Sequence, residues 1–289
     1  MKYLLIFTLL ALIPLCYSAS LAGNATSEIS EDGLTKDQRR QFSKAHAILM
    51  IIGWLFFVPT GFLFARLGRD LYKEQTLFGS AVWFQIHRAS NFMGVVCICT
   101  SMICIGISQQ WHWKGSWSGS KYWTEVHTDL GVISTILAIA QPLNSLLRCG
   151  PTHSKRVYFN WAHRIVGIVS YSLAFTAIII AAVQFNKIWH EPLLEVILVS
   201  IPTVMSIVLT AGFTVLESDK FRNKSDFGKG YKLKDMEAEE PLLFDENSKP
   251  QGPLRPHILR VPAIFLSIGA FAASALALSL LVVNGYKNV

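Results

Sequence analysis

Charge is what this sequence has least of. Of its 289 residues, 16% are Asp, Glu, Lys or Arg and 52% are apolar, whereas soluble domains carry about 25% charged residues. The apolar residues fall in long blocks separated by short basic loops, the pattern of a chain that crosses a bilayer repeatedly. This placement removes nucleic acid as the reason for the net charge of +7, because the excess Lys and Arg stand beside apolar spans, where membrane topology accounts for them. Cysteine is scarce as well. There are five, Cys16, Cys97, Cys99, Cys104 and Cys149, and no two have a spacing suited to zinc. The three within one apolar block read as small packing residues rather than as a disulfide. Carboxylates are almost missing from the first four apolar blocks, with Glu195 at the edge of the fifth as an exception. A transporter passage would be expected to carry such acids and broken helices.

What is present is an ordered series of segments. Residues 1–18 read as a secretory signal peptide: Lys2 gives the positive start, Leu4 to Leu15 the apolar core, and Cys16-Tyr17-Ser18-Ala19-Ser20 the small-residue cleavage region. Residues 19–43 form a short polar segment, expected to be lumenal or extracellular, with the glycosylation acceptor Asn24-Ala25-Thr26. A transmembrane domain is expected over 44–285, with spans at about 45–65, 84–107, 125–147, 161–184, 192–215 and 260–283. Each meets the roughly 20 residues that a bilayer helix requires. The fold class is all-α membrane protein, six helices, with a four-helix core and two further helices. The one long loop, about 217–258, is rich in charge and reads as solvated and flexible.

Basic residues set the orientation. With a cleaved leader, the first span runs inward, and the loops after spans one and three face the cytosol. Those loops hold Arg66, Arg69 and Lys73, then Arg148, Lys155 and Arg156, while the outward loops hold only Lys114 and Lys121, then Lys187. This obeys the positive-inside rule, and the aromatic run from Trp111-His112-Trp113 to Trp123 fits an outer interfacial belt.

Eight histidines are present. His112, His153, His190 and His257 lie in loops or at edges, but His46, His87, His127 and His163 each stand in the first turns of one of the first four spans. An ionisable group at such a depth is costly and marks function by default. Because successive spans alternate in direction, His46 and His127 share the outer leaflet and His87 and His163 the inner one. Two imidazoles on neighbouring helices supply the two axial ligands of a haem iron, and a bundle core is a usual place for such a cofactor. The competing reading is a set of structural, hydrogen-bonded histidines. A single shared zinc ion is disfavoured, because the pairs lie at opposite ends of the spans and no carboxylate on the spans completes a site; Asp129, near an outer end, is the nearest.

Glycines repeat beside the histidines. Gly53 and Gly94 follow His46 and His87 by seven residues, and Gly131 and Gly167 follow His127 and His163 by four. Both offsets place the glycine on the histidine's face of a helix, where a flat macrocycle requires a patch without side chains. Close helix packing is the alternative use of such glycines in membranes. The second nitrogen of a ligand imidazole needs a partner, and Asn160, Ser90 and Thr128 are near enough in sequence to be candidates. Gln141-Pro142 within the third span either bends that helix or serves packing.

The run Phe159-Asn160-Trp161-Ala162-His163 resembles the cytochrome b561 family, in its ferric-chelate reductase 1-like branch. So do Trp83-Phe84-Gln85-Ile86-His87-Arg88, Lys44-Ala45-His46, and Gln141-Pro142-Leu143 with Arg148. The likeness covers about residues 43–285. It implies a transmembrane oxidoreductase with two haem b groups, His46 and His127 holding the outer one and His87 and His163 the inner one. It also implies cytosolic ascorbate as donor, a ferric chelate or monodehydroascorbate as outer acceptor, and a homodimer in a plasma or endomembrane. An anionic donor would meet Arg88, Arg148, Lys155 and Arg156, with Arg66 and Arg69 nearby, although membrane anchoring is the plainer use of any one of them. On the other face Lys121, His112 and Lys114 would approach the chelate's anionic groups. The branch carries reeler and DOMON domains ahead of its membrane core. Here about 25 residues separate the leader from the first span, so a core without those domains is expected. The rival is a haem-free accessory subunit with the same bundle.

Overall fold

The computed structural model describes residues 33–71, 75–146, 153, 155–185, 192–234 and 256–285. The expected leader, the sequence Asn24-Ala25-Thr26, Lys187, His190, Cys149 and Arg148 lie outside them. Six helices follow one another: α1 (Lys36–Leu67), α2 (Val82–Ser108), α3 (Tyr122–Leu146), α4 (Arg156–Gln184), α5 (Pro192–Lys234) and α6 (Pro256–Gly285). Each contains a stretch long and apolar enough to cross a membrane, as the sequence predicts. A two-stranded hairpin, β1 (Thr76–Leu77) with β2 (Ser80–Ala81), leads into α2. Its turn uses left-handed backbone at Phe78 and Gly79.

The chain is apolar on its outside. Ile136, Ile168, Leu266 and Leu276 are all exposed, while Ser101, Ser134, Ser170, Ser267 and Ser274 are buried. This is the arrangement of a bundle whose solvent is lipid, where apolar contact alone does not bring helices together and small or hydrogen-bonding residues line the interfaces. Helices pair most extensively as α1 with α2, α3 with α4 and α5 with α6; α1 also packs on α6 and α4 on α5. Trp54, Ile98, Ala138 and Ala174, one from each of α1 to α4, form a shared buried layer.

Helix ends depart from the predicted spans for local reasons. α1 begins well before residue 45 because Thr35 and Gln38 form a capping box: Gln38 N–H donates to Thr35 Oγ1 (3.2 Å) and Thr35 N–H to Gln38 Oε1 (2.9 Å). α5 continues to Lys234, so the first part of the loop predicted from residue 217 is helical. No proline stands between Pro202 and Pro241 to stop it. α6 opens on Pro256, where a missing N–H costs nothing.

Two prolines disturb helices, and hydroxyls bond backbone carbonyls beside both. Within α1, residues Ile52–Phe57 form a π-helical segment just ahead of Pro59. Along that stretch Thr60 Oγ1 donates to Phe56 O (2.6 Å) and Ser90 Oγ, from α2, to Phe57 O (2.9 Å). In α5, Pro202 has no N–H for Leu198 O, and Ser274 Oγ of α6 donates there instead.

A histidine pair at each end of the four-helix core

The four membrane histidines lie one on each of α1 to α4, and each is met by a neighbouring helix at a regular distance from that helix's own histidine. His46 Nδ1 stands 3.2 Å from Ser101 O and 2.9 Å from Ser101 Oγ, which donates to His46 O (2.8 Å); Ser101 is fourteen residues after His87. His127 Nδ1 meets Ala177 O at 2.9 Å, fourteen residues after His163. His163 O accepts from Gln141 Nε2 at 2.9 Å, fourteen residues after His127. His87 Nδ1 meets Gly61 O at 2.9 Å, fifteen residues after His46, the additional residue falling on the helix that contains the π segment. At 1.5 Å rise per residue this register separates the two levels by about 21 Å.

At one level the rings of His87 and His163 face each other with centres 6.3 Å apart and planes at 71°. At the other, His46 of α1 and His127 of α3 are each held through Nδ1 by a neighbouring helix, His46 by Ser101 and His127 by Ala177 O. A carbonyl oxygen only accepts, so the Nδ1 of His87 and of His127 carries the proton and Nε2 presents its lone pair. Among the described residues no three His, Cys, Asp or Glu side chains converge on one point; His87 and His163 come together as two. Phe159 stacks on His163 with centres 6.1 Å apart and planes at 10°, and the Arg156 guanidinium lies over Phe159 at 5.7 Å.

The glycines divide. Gly53 and Gly94 oppose each other across the α1–α2 contact: a Cβ on Gly53 would stand 3.0 Å from Ile98 Cγ1 and 3.2 Å from Gly94 O. Helix packing accounts for these two. A Cβ on Gly131 would meet nothing within 4 Å, and one on Gly167 only Gln141 Nε2 at 3.2 Å. The side-chain-free space therefore lies beside Gly131 of α3, and the Gln141 amide borders Gly167 of α4.

The basic candidates are partly engaged. At the His87 end, Arg88 Nη2 donates to Gln85 Oε1 (2.6 Å) and its guanidinium lies over Phe84. Arg66 donates to Thr214 Oγ1 (2.6 Å), and Arg69 donates to Ala65 O (2.8 Å) and covers Trp83. Lys155 is exposed beside Arg156, and the loop residue His153 accepts from Lys155 N–H (3.1 Å). At the other end, His112 and Lys121 are exposed and Lys114 half-buried, on a loop fastened to α3 by Asp129, which accepts from Ser116 N–H (3.1 and 3.3 Å) and from Ser116 Oγ. Asp129 thus holds a loop.

Two of the predicted imidazole partners are spent elsewhere. Ser90 donates to Phe57 O and Thr128 to Thr124 O (2.8 Å), and neither these nor Asn160 bonds a histidine among the described residues. The groups that do are Ser101, Gly61 O and Ala177 O, with Asn91 beside His87, whose Nδ2 donates to His87 O (2.7 Å) and lies 3.2 Å from His87 Nδ1. The signal that finds three of these is a spacing beyond the neighbouring helix's histidine, fourteen residues for Ser101 and Ala177 and fifteen for Gly61.

Comparison with known proteins identifies the family. The family model described as eukaryotic cytochrome b561 matches residues 45–189. The chain is 31% identical over 144 residues to a putative ferric-chelate reductase 1 of Danio rerio, covering 50% of this chain and 23% of that protein. It is 33% identical over 135 residues to ferric-chelate reductase 1 of Homo sapiens, 46% of this chain and 21% of that one. It is also 26% identical over 202 residues to a cytochrome b561 and DOMON domain-containing protein of Arabidopsis thaliana, 68% of this chain and 38% of that protein. The chain therefore spans less than a quarter of the ferric-chelate reductases it resembles. No solved structure matches it. With six membrane-length helices and a family match over the four that carry the histidines, the chain belongs to the eukaryotic cytochrome b561 family of haem-binding membrane electron-transfer proteins.

Proposed function

We propose that this chain holds one haem b at each end of its four-helix core and passes electrons from cytosolic ascorbate to an acceptor on the opposite face, a ferric chelate or monodehydroascorbate. His87 and His163 would be axial ligands of the inner haem, and His46 and His127 of the outer one. The observation that carries this reading is the 6.3 Å between the ring centres of His87 and His163. Metal–imidazole bonds of about 2 Å put each ring centre roughly 3 Å from a shared metal, and hence two ring centres about 6 Å apart. Bound haem would supply one-electron chemistry; everything else is asked of the protein.

The protein's part is positioning and exclusion. Backbone carbonyls on Nδ1 fix the tautomer and aim Nε2 of His87 and His127 away from the backbone. The space beside Gly131 is free of side chains, and that beside Gly167 is bounded by the Gln141 amide. The apolar layer around Trp54 keeps water out of the middle of the core. Arg88, Lys155 and Arg156 give the His87 end a basic surface for an anionic donor, and Lys121, His112 and Lys114 face an acceptor at the other. In this reading the N-terminus is lumenal or extracellular, and the chain is sited in the secretory pathway.

A reduced-minus-oxidised absorbance spectrum of purified protein, with haem counted per chain, tests the reading. Two low-spin b-type haems per chain, reduced by ascorbate, are expected. A colourless preparation would sink it and favour a haem-free accessory subunit.

A further inference from the structure

We propose that Asn91 is the positioning residue of the His87 haem site, and that position 61 is glycine so that the Asn91 amide can reach it. The proposal rests on the haem reading above.

Three contacts place the His87 imidazole: Nδ1–H donates to Gly61 O at 2.9 Å, Asn91 Nδ2 donates to His87 O at 2.7 Å, and the same amide nitrogen lies 3.2 Å from Nδ1. Asn91 stands one helical turn after His87, so it reaches back along one face. Its amide lies against both the ring and Gly61 of α1. A Cβ added to Gly61 would overlap Asn91 Nδ2 and stand 2.9 Å from its Cγ and 3.3 Å from its Oδ1; these three are its nearest neighbours. Glycine at 61 therefore serves two purposes. Its carbonyl orients the ring, and its missing side chain admits the group that braces the ring from the other side.

His127 has a backbone carbonyl on Nδ1, and His46 has the carbonyl and hydroxyl of Ser101; Gln141 of the neighbouring helix donates to His163 O, but among the described residues the carboxamide beside an imidazole Nδ1 is Asn91, at His87. Nδ1–H is already donated to Gly61 O, so the Asn91 amide makes no hydrogen bond to it; the positive end of the amide dipole, held beside the ring, opposes the electron density that the Gly61 carbonyl adds. With Asn91 in place the ring is a weaker donor to a metal on Nε2 and its plane cannot swing. Such outer partners orient a ligand and tune the metal it binds.

The test uses the full chain in detergent, with haem per chain, low-spin electron paramagnetic resonance and a potentiometric titration read together. Asn91→Ala should keep both haems but lower the midpoint potential of one and shift the g-values of that haem alone. Gly61→Ala should lose one haem of two, with the other serving as the internal sign that the bundle has folded. The double variant Gly61→Ala with Asn91→Ala should recover the lost haem, because the new methyl then occupies the space the amide has left. Gly61→Ala with two haems and unchanged spectra, a double variant as depleted as Gly61→Ala, or Asn91→Ala with unmoved potentials and g-values would each overturn the positioning role. A colourless unmutated protein would instead overturn the haem reading and this role with it.

Discussion

Gly53 of α1 and Gly94 of α2 meet with backbone against backbone: a Cβ on either would come within 3.4 Å of the other's carbonyl oxygen. That contact sets how closely α1 and α2 approach, and with it the level at which His46 meets Ser101 and Gly61 meets His87. A bulky side chain there is overpacking, which costs about 1–3 kcal/mol. Gly53→Leu should lower the thermal unfolding temperature and disturb both histidine levels. Gly131→Ala, at a position with open space, should stay within about 0.5 kcal/mol. Equal destabilisation of the two variants in a thermal melt would contradict this.

The histidine levels are about four helical turns apart, so each should fail alone. Replacing His87 or His163 with Ala should remove one haem and leave the spectrum of the other; replacing His46 or His127 should do the converse. Haem per chain and difference spectra measure it. A His87→Ala variant with two full haems would end the pairing.

Asp129 holds the aromatic loop through hydrogen bonds to a charged acceptor, worth about 1.5–3 kcal/mol. Asp129→Ala should speed amide exchange at Ser116 and Ser118 and expose the loop to protease. Visible spectra should be unaltered if the carboxylate only fastens the loop.

Leu198 O depends on Ser274 because Pro202 has no N–H to give it. Interhelical hydrogen bonds within membranes average about 0.6 kcal/mol, with about 1.7 as an upper value. Ser274→Ala should destabilise within that range in a denaturant titration, and most of the loss should disappear in Pro202→Ala with Ser274→Ala, where a helical N–H returns. An additive double variant would argue against the compensation.

Charge at the His87 end should govern the reaction with an anion. Lys155→Gln with Arg156→Gln should slow reduction by ascorbate several-fold, more at low salt than at high, and leave the extent of reduction by dithionite unchanged. Stopped-flow rates at two ionic strengths decide, and identical ascorbate rates would return these residues to anchoring.

The six membrane helices are legible in the sequence because a bilayer imposes a length and a composition. The four histidines stand out because an imidazole is conspicuous among apolar residues. Their braces do not, because Gly61 and Ala177 act through backbone carbonyls, which belong to no residue type, and Ser101 and Asn91 look like any small polar residue in a membrane helix. The start of α1 is hidden for a related reason: Thr35 and Gln38 sit in a polar stretch whose composition resembles a loop, and only their reciprocal bonding makes it a helix end. The glycines show what periodicity leaves undecided. One offset rule picks out all four, yet Gly53 and Gly94 close a helix contact while Gly131 borders open space and Gly167 the Gln141 amide.

The wide turn at Ile52–Phe57 makes α1 one residue longer than its counterparts between the two levels. In an ordinary helix an additional residue would swing everything beyond it by about 100°, and the Gly61 carbonyl would miss the imidazole it serves. The bulge absorbs that residue locally. Deleting one residue of this stretch beyond Gly53 should therefore be better tolerated than a deletion in the regular turns on either side, because the shortened segment can close as an ordinary helix with its two ends still in step.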